Sequence, residues 1–178
     1  EAWDEYYHSM HGALNEAIHV YIESGLAFWK AEHGIKKNPC TVFEMGFGTG
    51  LNALLTLEYA AANDFTILYE TLEPFPLALQ EVQELNFDSL PTLQNSKESL
   101  RKLHLAPWES SVQISSTFSL IKHKILLEKF IPQRQYDVIY YDAFGFRVQP
   151  EMWRRGASNL LPATKPAMTV IMNVVAPK

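Results

Sequence analysis

The chain has 178 residues, 47% hydrophobic and 20% charged, the balance of a globular protein with enough residues for a substantial core. Its formal net charge of −5 argues against broad nonspecific nucleic-acid binding and leaves room for a small local basic patch. One cysteine, Cys40, excludes an internal disulfide and a cysteine-rich metal site. No apolar run reaches the roughly 18 residues of a membrane helix, and the acidic start is unlike a signal peptide, so the expected location is cytoplasmic with no membrane partner.

In residues 17–22, Ile18, Val20 and Ile22 alternate, which predicts a strand. A short helix is expected over 25–33 and a loop over 34–39. His8, His11 and His19 have no cysteine beside them and their spacing crosses Gly12. They are expected to be surface or hydrogen-bonding histidines, and no metal is expected.

Thr41-Val42-Phe43 then leads into Glu44-Met45-Gly46-Phe47-Gly48-Thr49-Gly50, and an apolar helical pattern follows over 51–62. This is a strand, a glycine turn and a helix. Alternating glycines bring backbone within contact distance of a ligand, because no Cβ stands in the way. A dinucleotide fingerprint would need glycine where Leu51 stands, and a phosphate loop would need Gly-Lys-Ser/Thr; neither is present. An acid before such a turn suits a nucleoside cofactor with a positive centre and no phosphates, S-adenosylmethionine, and hence methyl transfer. The competing reading is a tight structural turn.

Residues 65–72 predict the next strand, ending at Glu73. An acid about 20 residues past the glycines is placed to accept hydrogen bonds from ribose hydroxyls; alternatively it is a solvated acid at a helix start. Helices are expected over 75–87, 100–105 and 118–131, the last from the spacing of Phe118, Ile121, Ile125, Leu126 and Phe130. A short strand is expected over 112–115. Residues 136–141 predict a buried strand ending at Asp142, with a helix over 150–161 and a last strand over 167–175. Strands alternating with helices predict an α/β, Rossmann-like fold: a mostly parallel sheet with helices on both faces. The expected organisation is a single domain, with a small N-terminal extension at 1–38 and a core at 39–178 that is open to being incomplete at its C-terminal end. Ligands on such sheets bind beyond the carboxyl ends of the strands, where Glu44, Glu73 and Asp142 all fall. Asp142 there would orient an amine nucleophile and take up its proton, or else cap the following loop. Phe144 and Phe146 are candidates to stack on a base. Arg147, Arg154 and Arg155 offer phosphate contacts or a solvated helix face.

Several strings together resemble a known family. They are Tyr7-His8-Ser9 with Gly12-Ala13-Leu14, Glu16-Ala17 and His19-Val20; Glu44 with Gly46-Phe47-Gly48-Thr49-Gly50-Leu51-Asn52; Glu73 with Phe75-Pro76-Leu77; and Tyr136-Asp137, Tyr140 and Asp142-Ala143-Phe144 with Gln149-Pro150-Glu151-Met152-Trp153. This pattern, over roughly residues 6–155, is similar to the MnmC/MnmD methyltransferases. The resemblance implies a Rossmann-like S-adenosylmethionine-dependent methyltransferase acting on tRNA. The implied reaction is methylation of the aminomethyl group of 5-aminomethyl-2-thiouridine at the wobble position. It implies cofactor contacts from Glu44, Gly46, Gly48, Gly50, Asn52, Glu73 and Phe75, a catalytic Asp142, and substrate contacts from Phe144 and Arg147. Bifunctional relatives carry a fused flavin oxidase domain; without a flavin fingerprint this chain is expected to be the stand-alone form, served by a separate FAD-dependent oxidase-like partner. Residues 161–169 match the family ending only loosely. Many methyltransferases bind adenine with an acid after the third strand; residues 115–119 hold none, so backbone and apolar contacts are expected there instead. The alternatives are a methyltransferase for another amine or RNA substrate, or a non-catalytic nucleotide-binding module.

Overall fold

The computed structural model describes residues 11–34, 39–85, 87, 91–93, 96–142 and 164–173. They form a six-stranded sheet in the order β3-β4-β2-β1-β5-β6. The strands are β1 Cys40–Met45, β2 Ile67–Leu72, β3 Ser111–Ser115, β4 Phe118–His123, β5 Tyr136–Asp142 and β6 Thr164–Asn173. Every neighbouring pair is parallel except β3 with β4. The chain builds β1, β2 and β4 outward, then returns to the far side of β1 to lay down β5 and β6. That reversal places a topological switch between β1 and β5, the position where open α/β sheets hold ligands. The fold is Rossmann-like α/β, as expected.

The central strands explain themselves by alternation. Val42, Tyr69, Leu120, Val138 and Tyr140 enter one core, and Phe43, Leu72, Ile139 and Tyr141 enter another. Burial on both faces is why Val42-Phe43 and Val138 to Tyr141 read as continuous apolar runs. The helices α1 Phe28–His33, α2 Leu51–Ala62, α3 Leu79–Glu84 and α4 Lys97–Leu105 all contribute to the first core. Leu127 and Phe130, from the segment after β4, close the second. The helix expected over 150–161 lies outside the described residues. No helix among the described residues is long and apolar enough to cross a membrane.

Two expectations are corrected. Residues 17–22 are not a strand: residues 11–17 are α-helical and Ile18–Ala27 continues as a π-helix into α1. The apparent alternation of Ile18 and Val20 is only half-buried, whereas Ala17, Tyr21, Gly25 and Trp29 recur every fourth residue on the buried face. That four-residue recurrence is helical, and the looser π turns keep it facing the sheet. This helix packs on α2, β5 and β6, so it belongs to the body of the fold. Residues 118–131 are not a helix either. They divide into β4 and a 3₁₀ turn, Leu127–Lys129. Pairing with β2 on one side and β3 on the other satisfies the β4 backbone, and Phe118, Leu120 and Lys122 alternate onto the helix-covered face. Tertiary pairing overrides a helical spacing that arose by coincidence.

Candidate active site

The glycine turn leaves β1 at its carboxyl end. Gly46 and Phe47 donate their N–H groups to Leu72 O at 3.0 and 3.2 Å, and Gly50 N–H closes the turn on Phe47 O at 2.8 Å. Gly46, Gly48 and Gly50 have φ of +89°, +50° and +77°, a region that side chains with a Cβ enter at a cost. The three differ in surroundings. A Cβ on Gly46 or Gly48 would meet nothing within 4 Å, whereas on Gly50 it would come 3.1 Å from both His104 and Phe47. Gly46 and Gly48 therefore border open space, and Gly50 is a packing glycine at the start of α2. The Phe47 side chain tucks into the first core and anchors the turn.

That open space is a cavity of about 450 Å³, within the range of small-molecule sites. The turn forms its floor together with Glu44, Asn52 and Glu73, and Ala13, Glu16, Ala17 and Tyr21 of the N-terminal helix form a wall. Among the described residues the lining holds three carboxylates, Glu16, Glu44 and Glu73, and no lysine or arginine.

Each carboxylate is held differently. Glu44 is 1% exposed and accepts a hydrogen bond from Thr71 Oγ1 at 3.1 Å. Burial first, and the Glu44 charge second, push the nearby Tyr69 hydroxyl well above its ordinary titration range. Glu73 accepts Gly48 N–H at 3.0 Å on one oxygen and Phe75 N–H at 2.9 Å on the other. It ties the glycine turn to the segment after β2 and keeps lone pairs on both oxygens for further donors. Glu16 is exposed.

The register shows how the strand ends converge. Met45 stands opposite Leu72 on one side and Tyr141 on the other, so the backbones of Glu73 and Asp142 flank the start of the glycine turn. The Asp142 side chain lies outside the described residues, as do Phe144, Phe146, Arg147, Arg154 and Arg155. Phe75 is 80% exposed beside Glu73 and is not part of the cavity lining. His19 is exposed and bonds Glu23 at 3.1 Å. Among the described residues no group of three His, Cys, Asp or Glu side chains is placed to hold a metal ion.

The segment at 115–119, expected at the ligand rim, sits at the opposite end of the sheet, where the β3–β4 hairpin turns. The end of β4 on the ligand rim is His123. Its ring nitrogens lie 2.8 Å from Glu70 and 2.6 Å from Glu109, and Arg134 Nε pairs with Glu70 at 2.8 Å. Acids do stand near this strand end, brought from β2 and from before β3 by the fold. Sequence reasoning also missed Glu16 and Tyr21 as lining residues, because the strand reading removed the helical face that carries them. It missed His104 and Lys122 behind the turn, because the helical reading of β4 gave Lys122 no reason to be buried.

Relatives agree with this architecture. A tRNA 5-methylaminomethyl-2-thiouridine biosynthesis bifunctional protein MnmC from Leptospira borgpetersenii is 28% identical across 86% of this chain and 24% of its own length. The MnmC of Leptospira interrogans is 27% identical across 99% of this chain and 28% of its own. The chain resembles MnmC. It spans about a quarter of the length of these relatives. The crystal structure of MNMC2 from Aquifex aeolicus superposes with a TM-score of 0.60 at 17% identity, over 88% of this chain and 48% of that one, and shares the fold. No protein-family model matches the chain.

Proposed function

We propose that the chain binds S-adenosylmethionine across the carboxyl rim of β2, β1 and β5 and methylates an amine on tRNA. The observation that carries this reading is the cavity: positive-φ glycines opening onto it and, among the described residues, three carboxylates in its lining and no cationic side chain. Such a wall favours a ligand with a positive centre over a phosphate-bearing one. The open space at Gly46 and Gly48 fits a ligand that lies against backbone. The likeness to MnmC supports the finer substrate: the aminomethyl group of 5-aminomethyl-2-thiouridine at the wobble position.

Bound here, S-adenosylmethionine would supply a methyl group already activated by its sulfonium, leaving the protein to orient the partners. Glu73 would accept the ribose hydroxyls with its remaining lone pairs. Glu44, braced by Thr71, would hold the turn and face the cationic end of the ligand, with Asn52 at the start of α2. Phe75 offers an exposed ring beside Glu73 for stacking on a base. Asp142 would hold the substrate amine by hydrogen bond and stabilise the ammonium that forms on nitrogen. A carboxylate of ordinary pKa near 4 is a weak base for an amine near 10, so holding outweighs deprotonation in this role. Phe144 and Arg147 would meet the tRNA. The amine itself would come from an FAD-dependent oxidase-like activity.

The test is a methylation assay with tRNA from a strain blocked at the aminomethyl stage, run beside calorimetry with S-adenosylhomocysteine. Methyl incorporation into that tRNA is expected. Binding without incorporation would leave the fold with a different substrate or a non-catalytic role, and no binding would remove the cofactor.

A further inference from the structure

Behind the glycine turn, outside the cavity lining, lie the half-buried ring of His104 and the buried amine of Lys122. The ring of His104, near the end of α4, bonds through Nε2 to Thr49 O at 3.0 Å. A carbonyl only accepts, so Nε2 carries the proton. Burial first of all depresses the His104 pKa below its ordinary value, against the opposing effect of the bond to Thr49 O. The ring also packs edge-on to Phe47 at 4.9 Å. Lys122 of β4 donates to Leu103 O at 2.9 Å and to His104 O at 2.7 Å, carbonyls that the last turn of α4 leaves open. Its Nζ stands 5.2 Å from the Phe47 ring and 4.5 Å from the Trp108 ring. One chain of contacts thus runs from β4 through the end of α4 to the one residue, Thr49, that separates Gly48 from Gly50.

We propose that His104, held through its own carbonyl by Lys122, is a positioning residue that sets the Thr49 peptide and with it the shape of the cofactor-binding turn. The turn needs such a brace. It contains three positive-φ glycines, and glycine has more conformations to lose than any other residue when a loop is ordered. Thr49 lines the cavity, so a shift of its peptide reaches the ligand directly, although His104 itself does not touch it. Gly50 completes the fit, because any larger residue there would displace the imidazole. This inference rests on the reading of the turn as the S-adenosylmethionine site.

The experiment measures S-adenosylhomocysteine affinity by calorimetry for the wild-type protein, His104→Leu and His104→Gln, with melting temperatures alongside. Gln returns an N–H donor at similar reach; Leu does not. The leucine variant is expected to lose about tenfold or more in affinity, with the glutamine variant within about threefold of wild type. A purely structural histidine would show no such rescue. Should the leucine variant fail to fold, His104→Met, a flexible side chain of similar volume without a donor, reads the same loss. Wild-type affinity in the variants without a donor would overturn the inference, as would a glutamine variant as weak as they are. Absence of binding by the wild-type protein would overturn the proposed function, and this inference with it.

Discussion

Gly48 and Gly50 share a left-handed backbone but sit in different places, and alanine at each should therefore fail differently. Both substitutions carry the conformational cost of placing a Cβ at positive φ, about 1–2 kcal/mol. At Gly48 the methyl enters open space; at Gly50 it meets Phe47 and His104 at 3.1 Å. Gly50→Ala is expected to lower the urea midpoint more than Gly48→Ala, while Gly48→Ala costs more S-adenosylhomocysteine affinity than its stability loss accounts for. The acids divide in the same manner. Glu73→Ala is expected to weaken cofactor binding in calorimetry by about tenfold, the scale of a lost charge-assisted hydrogen bond. Asp142→Ala is expected to retain that binding and lose most turnover; intact turnover would remove Asp142 from the mechanism. At this scale the sequence was legible where residue type and local spacing decide: Glu44, Gly46, Gly48 and Glu73, candidates on spacing alone, line one cavity. The places of Glu16, Tyr21 and His104 at or behind that cavity were not legible, because they come from surfaces created only when distant elements pack.

Among the elements, β4 holds the largest difference from expectation, and its Lys122 yields a pH prediction. Burial pushes the Lys122 amine down to about 8, from 10.5 in an unfolded chain. Between those values the unfolded chain binds a proton that the folded chain has released, so stability rises with pH across that window. The full effect is on the order of 3 kcal/mol, and below about pH 8 it is a constant cost. Tyr69, Tyr136 and Tyr140 act oppositely above pH 10: burial raises each of them, so the unfolded chain loses their protons first and the fold loses stability. Urea midpoints of the wild-type protein should therefore rise from pH 8 to 9.5, and Lys122→Met should abolish the rise. A flat wild-type profile would show that the amine is not desolvated as its surroundings dictate. A lysine in this position was unreadable beforehand, since nothing local marks a strand whose buried face carries a charge capped by another helix's carbonyls.

For the whole molecule, the N-terminal helix joins stability to the site. Its buried side packs on α2, β5 and β6 and its cavity side supplies Ala13, Glu16, Ala17 and Tyr21. Leu26 of this helix is fully buried in the first core, whereas Phe28, two residues on, is exposed. Leu26→Ala is expected to cost about 2–5 kcal/mol by urea denaturation and to lower S-adenosylhomocysteine affinity as the wall loosens. Phe28→Ala should change neither by more than about 0.5 kcal/mol. Unchanged affinity in a destabilised Leu26→Ala protein would show that the wall does not shape the site.

The sequence by itself determined the α/β class, the strand–glycine turn–helix unit and the three acids at strand ends. Each of these follows from short-range physics: alternation, glycine conformations and the direction a strand runs into its turn. Tertiary structure alone decided that residues 17–22 are helical, that residues 118–123 are a strand, and which side chains wall the cavity. Those outcomes depend on hydrogen bonds and buried area shared between segments far apart in the chain, quantities that no local spacing contains.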